Sequence, residues 1–121
     1  MRLFLATFMI LHGFAHMVGF VGALGLSTEI PRKTTIMSGR VEVGEVGMRF
    51  MGVLWLLAAL AFVLVGLAAW ANHNWWMEAA LVLAAASLML CMAELPDARV
   101  GMAINTIILL GVIGAHQTGW I

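Results

Sequence analysis

Four apolar stretches of span length, joined by short polar segments, constrain this chain more than any other feature. They run over about Leu3–Leu26, Phe50–Ala71, Met77–Leu95 and Val100–Ile121. A helix needs roughly 20 apolar residues to cross the hydrocarbon of a bilayer. The joints are Ser27–Arg49, Asn72–Trp76 and Pro96–Arg99. The last two are short enough to make helices 2–3 and 3–4 antiparallel neighbours. Of the 121 residues 64% are hydrophobic and only 10% charged, against about 45–50% and about 25% in a soluble domain. The expected fold is therefore all-α: an integral membrane four-helix bundle in a single domain, residues 1–121, with one longer polar loop. Met1-Arg2 followed by Leu3–Leu11 has the look of a signal peptide. The apolar run continues to Leu26 and is read as a retained first helix.

An even number of spans puts both termini on one side, side A, together with the Asn72–Trp76 turn. Side B then holds the long first loop and the Pro96–Arg99 turn. Ten of the twelve charged residues fall on side B; only Arg2 and Glu78 fall on side A. Trp70, Trp75, Trp76 and Trp120 lie near side A, as an interfacial aromatic belt does. Arg32, Lys33, Arg40, Arg49 and Arg99 on side B against Arg2 on side A favour side B in the cytoplasm and both termini outside. Six basic and six acidic residues cancel, so no overall field draws nucleic acid. The expected partners are the lipid bilayer and other membrane protein subunits, or a second copy of the chain.

Within the first loop, Thr34–Met37 and Arg40–Val43 around Ser38-Gly39 read as two short strands and a tight turn; a solvated loop is the plainer alternative. Its charges are of both signs. The loop and the Pro96–Arg99 turn are expected to form one polar cap, in which Arg40 or Arg49 pairs with Glu42, Glu45, Glu94 or Asp97, with Arg99 beside them.

The residues with chemical potential are few. His12 and His16 stand four apart in helix 1 and share a face. At that depth a polar group faces protein or water. Either each imidazole simply hydrogen-bonds a neighbouring helix, or the pair serves a proton, a metal, a haem or a quinone. Ser87, Cys91 and Glu94 form a stripe on helix 3, and Asn105, Leu109, Val112 and His116 one on helix 4. At about 1.5 Å per residue, Ser87 and His16 lie ~12–15 Å below side B, and Cys91 and Asn105 ~6–8 Å below it. His116 lies ~6–8 Å and His12 ~14 Å from side A on the same count. Facing inward, these residues would make a discontinuous polar track; isolated polar contacts between helices are the plainer reading.

Cofactor chemistry is thinly supported. Two histidines on one helix cannot ligate opposite faces of one haem, and no carboxylate lies at their depth to complete a di-metal site. Ten methionines invite copper but serve more generally as adaptable packing. One cysteine, Cys91, excludes an internal disulfide. Gly19, Gly22 and Gly25, then Gly52, Ala59 and Gly66, then Gly111 and Gly114, mark faces where helix backbones approach. No nucleophile–base pair or phosphate loop is present. The identity of any metal or cofactor stays open.

Leu11–Phe20, Ser38–Gly44, and Pro96–Gly101 with Asn105 resemble the small four-helix bacterial membrane proteins loosely grouped as DoxX-like. The resemblance implies a bacterial inner-membrane protein. Members of that group mostly lack an assigned function and some are linked to redox complexes, which implies an accessory subunit and carries no catalytic residue. Small multidrug transporters share only length and helix count, and their acidic residue in helix 1 is replaced here by His12 and His16. Three functions follow in order: a non-catalytic subunit or assembly factor of a larger membrane complex, a proton-coupled transporter, and a redox protein using His12 and His16.

Overall fold

A computed structural model describes residues 1–121. Four helices, α1 (Arg2–Ala23), α2 (Gly44–Trp70), α3 (Trp76–Ala93) and α4 (Arg99–Gln117), make up the bundle. All four are long and apolar enough to cross a membrane. A two-stranded ribbon, β1 (Thr35–Ile36) and β2 (Val41–Glu42), sits in the first loop. Met1, Arg2, Asn72–Asn74, Trp120 and Ile121 surround one shallow depression, so both termini and the α2–α3 turn share one end of the bundle.

The helix ends differ from the apolar runs for local reasons. α1 stops three residues short of Leu26. Gly25 takes φ +63°, its N–H donates to the Gly22 carbonyl and that of Leu26 to Val21. This is a Schellman ending, and glycine adopts its left-handed geometry without the Cβ penalty. Asn72 (φ +59°) ends α2 in the same way. α2 begins six residues ahead of Phe50, so Glu45 and Arg49 ride on a helical turn that projects from side B rather than lying in a loop. α3 gives out at Ala93, ahead of Pro96, whose ring disfavours helix in the residue before it.

The four helices are unequally joined. α1 and α2 meet along their whole length, because small residues remove the side chains between them. A Cβ on Gly13 would lie 2.8 Å from the Ala59 carbonyl oxygen, and one on Gly66 2.9 Å from that of Ala6. Trp55 lies flat over Gly19, whose Cβ would stand 2.4 Å from the indole. α3 packs on α4 and less closely on α2, while α1 and α4 touch sparsely. Their side-A halves meet around Leu5, Met9, Ile108, Val112 and Ala115; their side-B halves stand apart. Two apolar clusters result. The larger fills the side-A half and the smaller, built on Met48, Met51, Trp55, Ala23 and Cys91, the side-B half. Trp76 belongs to the larger, at 4% exposure. It is thus a core residue, and the side-A belt is left to the exposed Trp70, Trp75 and Trp120.

The ribbon pairs Thr35 with Glu42 and Ile36 with Val41. It is shorter than its sequence pattern because Met37 leaves it: the Met37 N–H donates to the Ala93 carbonyl at 2.7 Å. The Ser38 hydroxyl donates to the Leu95 carbonyl at 3.2 Å. The first loop is therefore stitched to the end of α3 by one backbone amide and one hydroxyl, each on a backbone carbonyl.

Gly66→Val should destabilise the protein by about 1–3 kcal/mol, the usual cost of overpacking. Gly114→Ala, where a Cβ meets nothing within 4 Å, should leave stability unchanged. Unfolding midpoints in detergent check the pair; equal midpoints would contradict the close α1–α2 approach.

Candidate functional site

A layer of polar side chains lies between the two apolar clusters. The helical periods of α1, α3 and α4 turn His12, His16, Ser87 and Asn105 inward at one level, at 5%, 2%, 2% and 0% exposure. His12 Nε2 lies 3.2 Å from Asn105 Oδ1. Asn105 Nδ2 lies 2.9 Å from Ser87 Oγ, and Ser87 Oγ 2.6 Å from His16 Nε2. His16 Nδ1 lies 3.0 Å from the backbone oxygen of His12.

That last contact fixes every proton in the layer. A carbonyl oxygen can only accept, so His16 Nδ1 carries its hydrogen and, in a neutral ring, Nε2 accepts. The Ser87 hydroxyl must then donate to His16, and receives a hydrogen from Asn105. The Asn105 oxygen consequently faces His12, whose Nε2 donates. The two imidazoles are opposite tautomers. Asn105 has a further contact from Nδ2 to the Cys91 sulfur at 3.6 Å, where Gly101 leaves room for that sulfur against α4. One atom remains: His12 Nδ1, buried and without a partner, holds a lone pair that can only accept.

Aromatic rings wall the pair. The His12 and His16 rings meet edge to face at 4.4 Å between centroids. Phe62 lies 4.8 Å from His12 and 5.1 Å from His16, and Trp55 5.2 Å from His16. Trp55 and Phe62 stand seven apart on α2, on the face that carries Gly52, Ala59 and Gly66. That spacing is the sequence signal that could have revealed them.

A cavity of about 600 Å³ occupies the space between the side-B halves of α1 and α4. His12, His16 and Trp55 form its floor. Val18, Val100 and Ile104 flank it on the two helices that stand apart. Glu29, Lys33, Glu94 and Asp97 stand at its mouth. Lys33 bridges Glu94 Oε2 at 2.9 Å and Asp97 Oδ2 at 2.8 Å. Burial alone would lower the Lys33 pKa, but hydrogen bonds and charge from Asp97 and Glu94 outweigh it and raise it. Its contribution to stability is therefore complete below the ordinary lysine pKa and is lost only as pH climbs through the raised value. Glu94 is 8% exposed in its side chain, and no group donates to its Oε1.

The structure rearranges several of the sequence-derived groupings. Ser87, Cys91 and Asn105 do join the histidines, but His12 reaches Asn105, which the depth count had set apart. The count ran helix 1 on to Leu26, and removing three residues lifts both histidines toward side B by ~4–5 Å. His116 does not belong to the layer. The buried face of α4 runs through Asn105, Ile108, Val112 and Ala115, and His116 is exposed in the last turn. The polar track is thus interrupted, since Met9, Phe62, Ile108 and Val112, none more than 1% exposed, fill the bundle below His12. The cap exists with other partners than expected. Lys33 holds Glu94 and Asp97, and Arg32 holds Glu45 at 3.3 Å. Arg40, Arg49 and Arg99 are exposed and form no ion pair, and Glu42 instead accepts from the Gly44 N–H at 2.9 Å. Charge sign alone could not choose among the five cations of side B; the ribbon's docking on Ala93 brings Lys33, just before it, over Glu94.

Asn105→Leu should strand the His12 Nε2 donor and lower stability by about 1–3 kcal/mol. His116→Leu, at an exposed position, should change it by less than about 0.5 kcal/mol. Unfolding titrations in mixed detergent compare them, and an equal effect would contradict the buried layer. No protein-family model, curated protein or solved structure matches this chain.

Proposed function

We propose that the protein is a small, non-catalytic membrane subunit whose own task is to hold an amphipathic molecule drawn from the bilayer. The observation that carries this reading is the cavity between α1 and α4, about 600 Å³ with a polar floor, apolar flanks and a charged mouth. A few polar groups within an apolar concavity are the usual composition of a small-molecule site. Its two bounding helices are the pair that barely touch, which offers a lipid-soluble molecule a sideways entrance. The one hydroxyl paired with a base, Ser87 on His16 at 2.6 Å, is itself buried and does not line the cavity, which supports binding over catalysis. The DoxX-like resemblance makes redox complexes candidate hosts for such a subunit. The positive-inside count supports a cytoplasmic side B, with the unpaired Arg40, Arg49 and Arg99 available to lipid headgroups or to a host subunit.

The competing readings receive less support. A proton-coupled carrier needs a route to both sides, and the apolar plug beneath His12 closes one. Haem or copper ligation by the pair would require breaking the layer, because both nitrogens of His16 and one of His12 already have partners. No three potential metal-ligating side chains come together.

A photoreactive phenylalanine analogue at Ile104, inside the cavity, should capture a discrete small molecule on illumination of intact membranes. The same residue at Leu110, on the outer face of α4, should capture only bulk phospholipid. Identical adduct profiles by mass spectrometry at the two positions would remove this reading.

A further inference from the structure

The chemistry of the cavity also specifies the class of its occupant, on the assumption that the cavity is a binding site as proposed above. Its two unpartnered polar atoms are both acceptors. They are Glu94 Oε1 and His12 Nδ1, buried atoms of residues that line the mouth and the floor and are 6% and 5% exposed. Seven residues of helix separate Glu94 from Ser87, so the two levels stand ~10 Å apart. No donor reaches either acceptor. The Lys33 ammonium is occupied by two carboxylates, and the imidazole, hydroxyl and amide hydrogens of the histidine layer are committed. Among the lining residues, Glu29, Glu94 and Asp97 stand against the one cation Lys33, leaving two negative charges in excess.

We infer that the cavity takes a lipophilic ammonium: a bilayer-soluble amine whose charged nitrogen pairs with the Glu94 carboxylate while its tail lies along Val18, Ile104 and Trp55. Lys33 is then a tethered stand-in for the ligand. It comes from the first loop rather than from the bundle, and it already presents an ammonium to the same carboxylate. An incoming amine competes with it. Carboxylates and sulfates are disfavoured by the excess negative charge. Charge-assisted hydrogen bonds in a poorly hydrated site discriminate more strongly than neutral ones.

The test uses the whole protein in nanodiscs of zwitterionic lipid, with empty nanodiscs as the blank, at neutral pH. Decylamine, 1-decanol and decanoate are titrated and their binding followed by native mass spectrometry. Decylamine should bind about tenfold more tightly than decanol, the equivalent of one charge-assisted hydrogen bond, and decanoate most weakly. Glu94→Gln should abolish the preference for the amine while leaving decanol binding intact, which also reports that the variant is folded. Lys33→Met should strengthen decylamine binding several-fold. Equal affinity of the wild-type protein for amine and alcohol would overturn the inference, as would a preference that survives Glu94→Gln. If none of the three binds while the photoadduct at Ile104 persists, the ammonium inference falls and the binding function stands. If the adduct is missing as well, both fall.

Discussion

The hydrogen bond from His16 to the backbone carbonyl of His12 is the contact on which the interior of this bundle depends. A carbonyl offers no choice of role, so this one contact determines which nitrogen of His16 is protonated. Through Ser87 and Asn105 it then determines the tautomer of His12 as well. Lipid and protein are about equally apolar, so burial alone does little to distinguish one helix rotation from another within a membrane. A directed chain of four buried polar groups does distinguish them, because any rotation of α1, α3 or α4 strands at least one group in hydrocarbon. The layer therefore serves orientation, and it leaves a single lone pair over, on His12 Nδ1.

The asymmetry of helix contacts complements this. Glycines at both ends of the α1–α2 crossing bring two backbones together, and dispersion over that long contact gives the bundle a rigid half. α4 is secured to α1 only through the polar layer and the apolar cluster below it. The outcome is a bundle closed at side A and parted at side B. Separation there follows directly from where the small residues lie, since none on the side-B half of α1 faces a small residue of α4 closely enough to draw the backbones into contact.

Much of this architecture was legible in the amino-acid sequence, and the rest was hidden for identifiable reasons. Run length showed four spans, because the bilayer imposes a length on any helix that crosses it. The i, i+4 spacing of His12 and His16 and the small-residue stripe of helix 2 were readable from helical period alone. Depth was not, because it is counted from helix ends, and one glycine with positive φ moved the end of α1. Trp76 shows a related limit. An aromatic at the boundary between lipid and water can face either the headgroups or the core, and period does not choose between them. The pairing of Lys33 lay furthest from view. It depends on a ribbon of two residues per strand whose amide docks on Ala93, a contact between distant segments that leaves no mark in local sequence. His116 shared a nominal stripe with Asn105, yet the buried face of α4 centres on the other side of that stripe.

The stitching of the first loop to the end of α3 has a consequence for how the protein is made. Membrane proteins are inserted as they are synthesised, so α1, the loop and α2 are in place before α3 exists. Until Ala93 and Leu95 arrive, the amide of Met37 and the hydroxyl of Ser38 have only water, and Lys33 has no carboxylate to bridge. The amino-terminal half can therefore reach the bilayer as a tight helical pair while its loop is still unsettled. The mouth of the cavity is the last part of the molecule to be built, and it closes only when the second pair of helices has been delivered against the first.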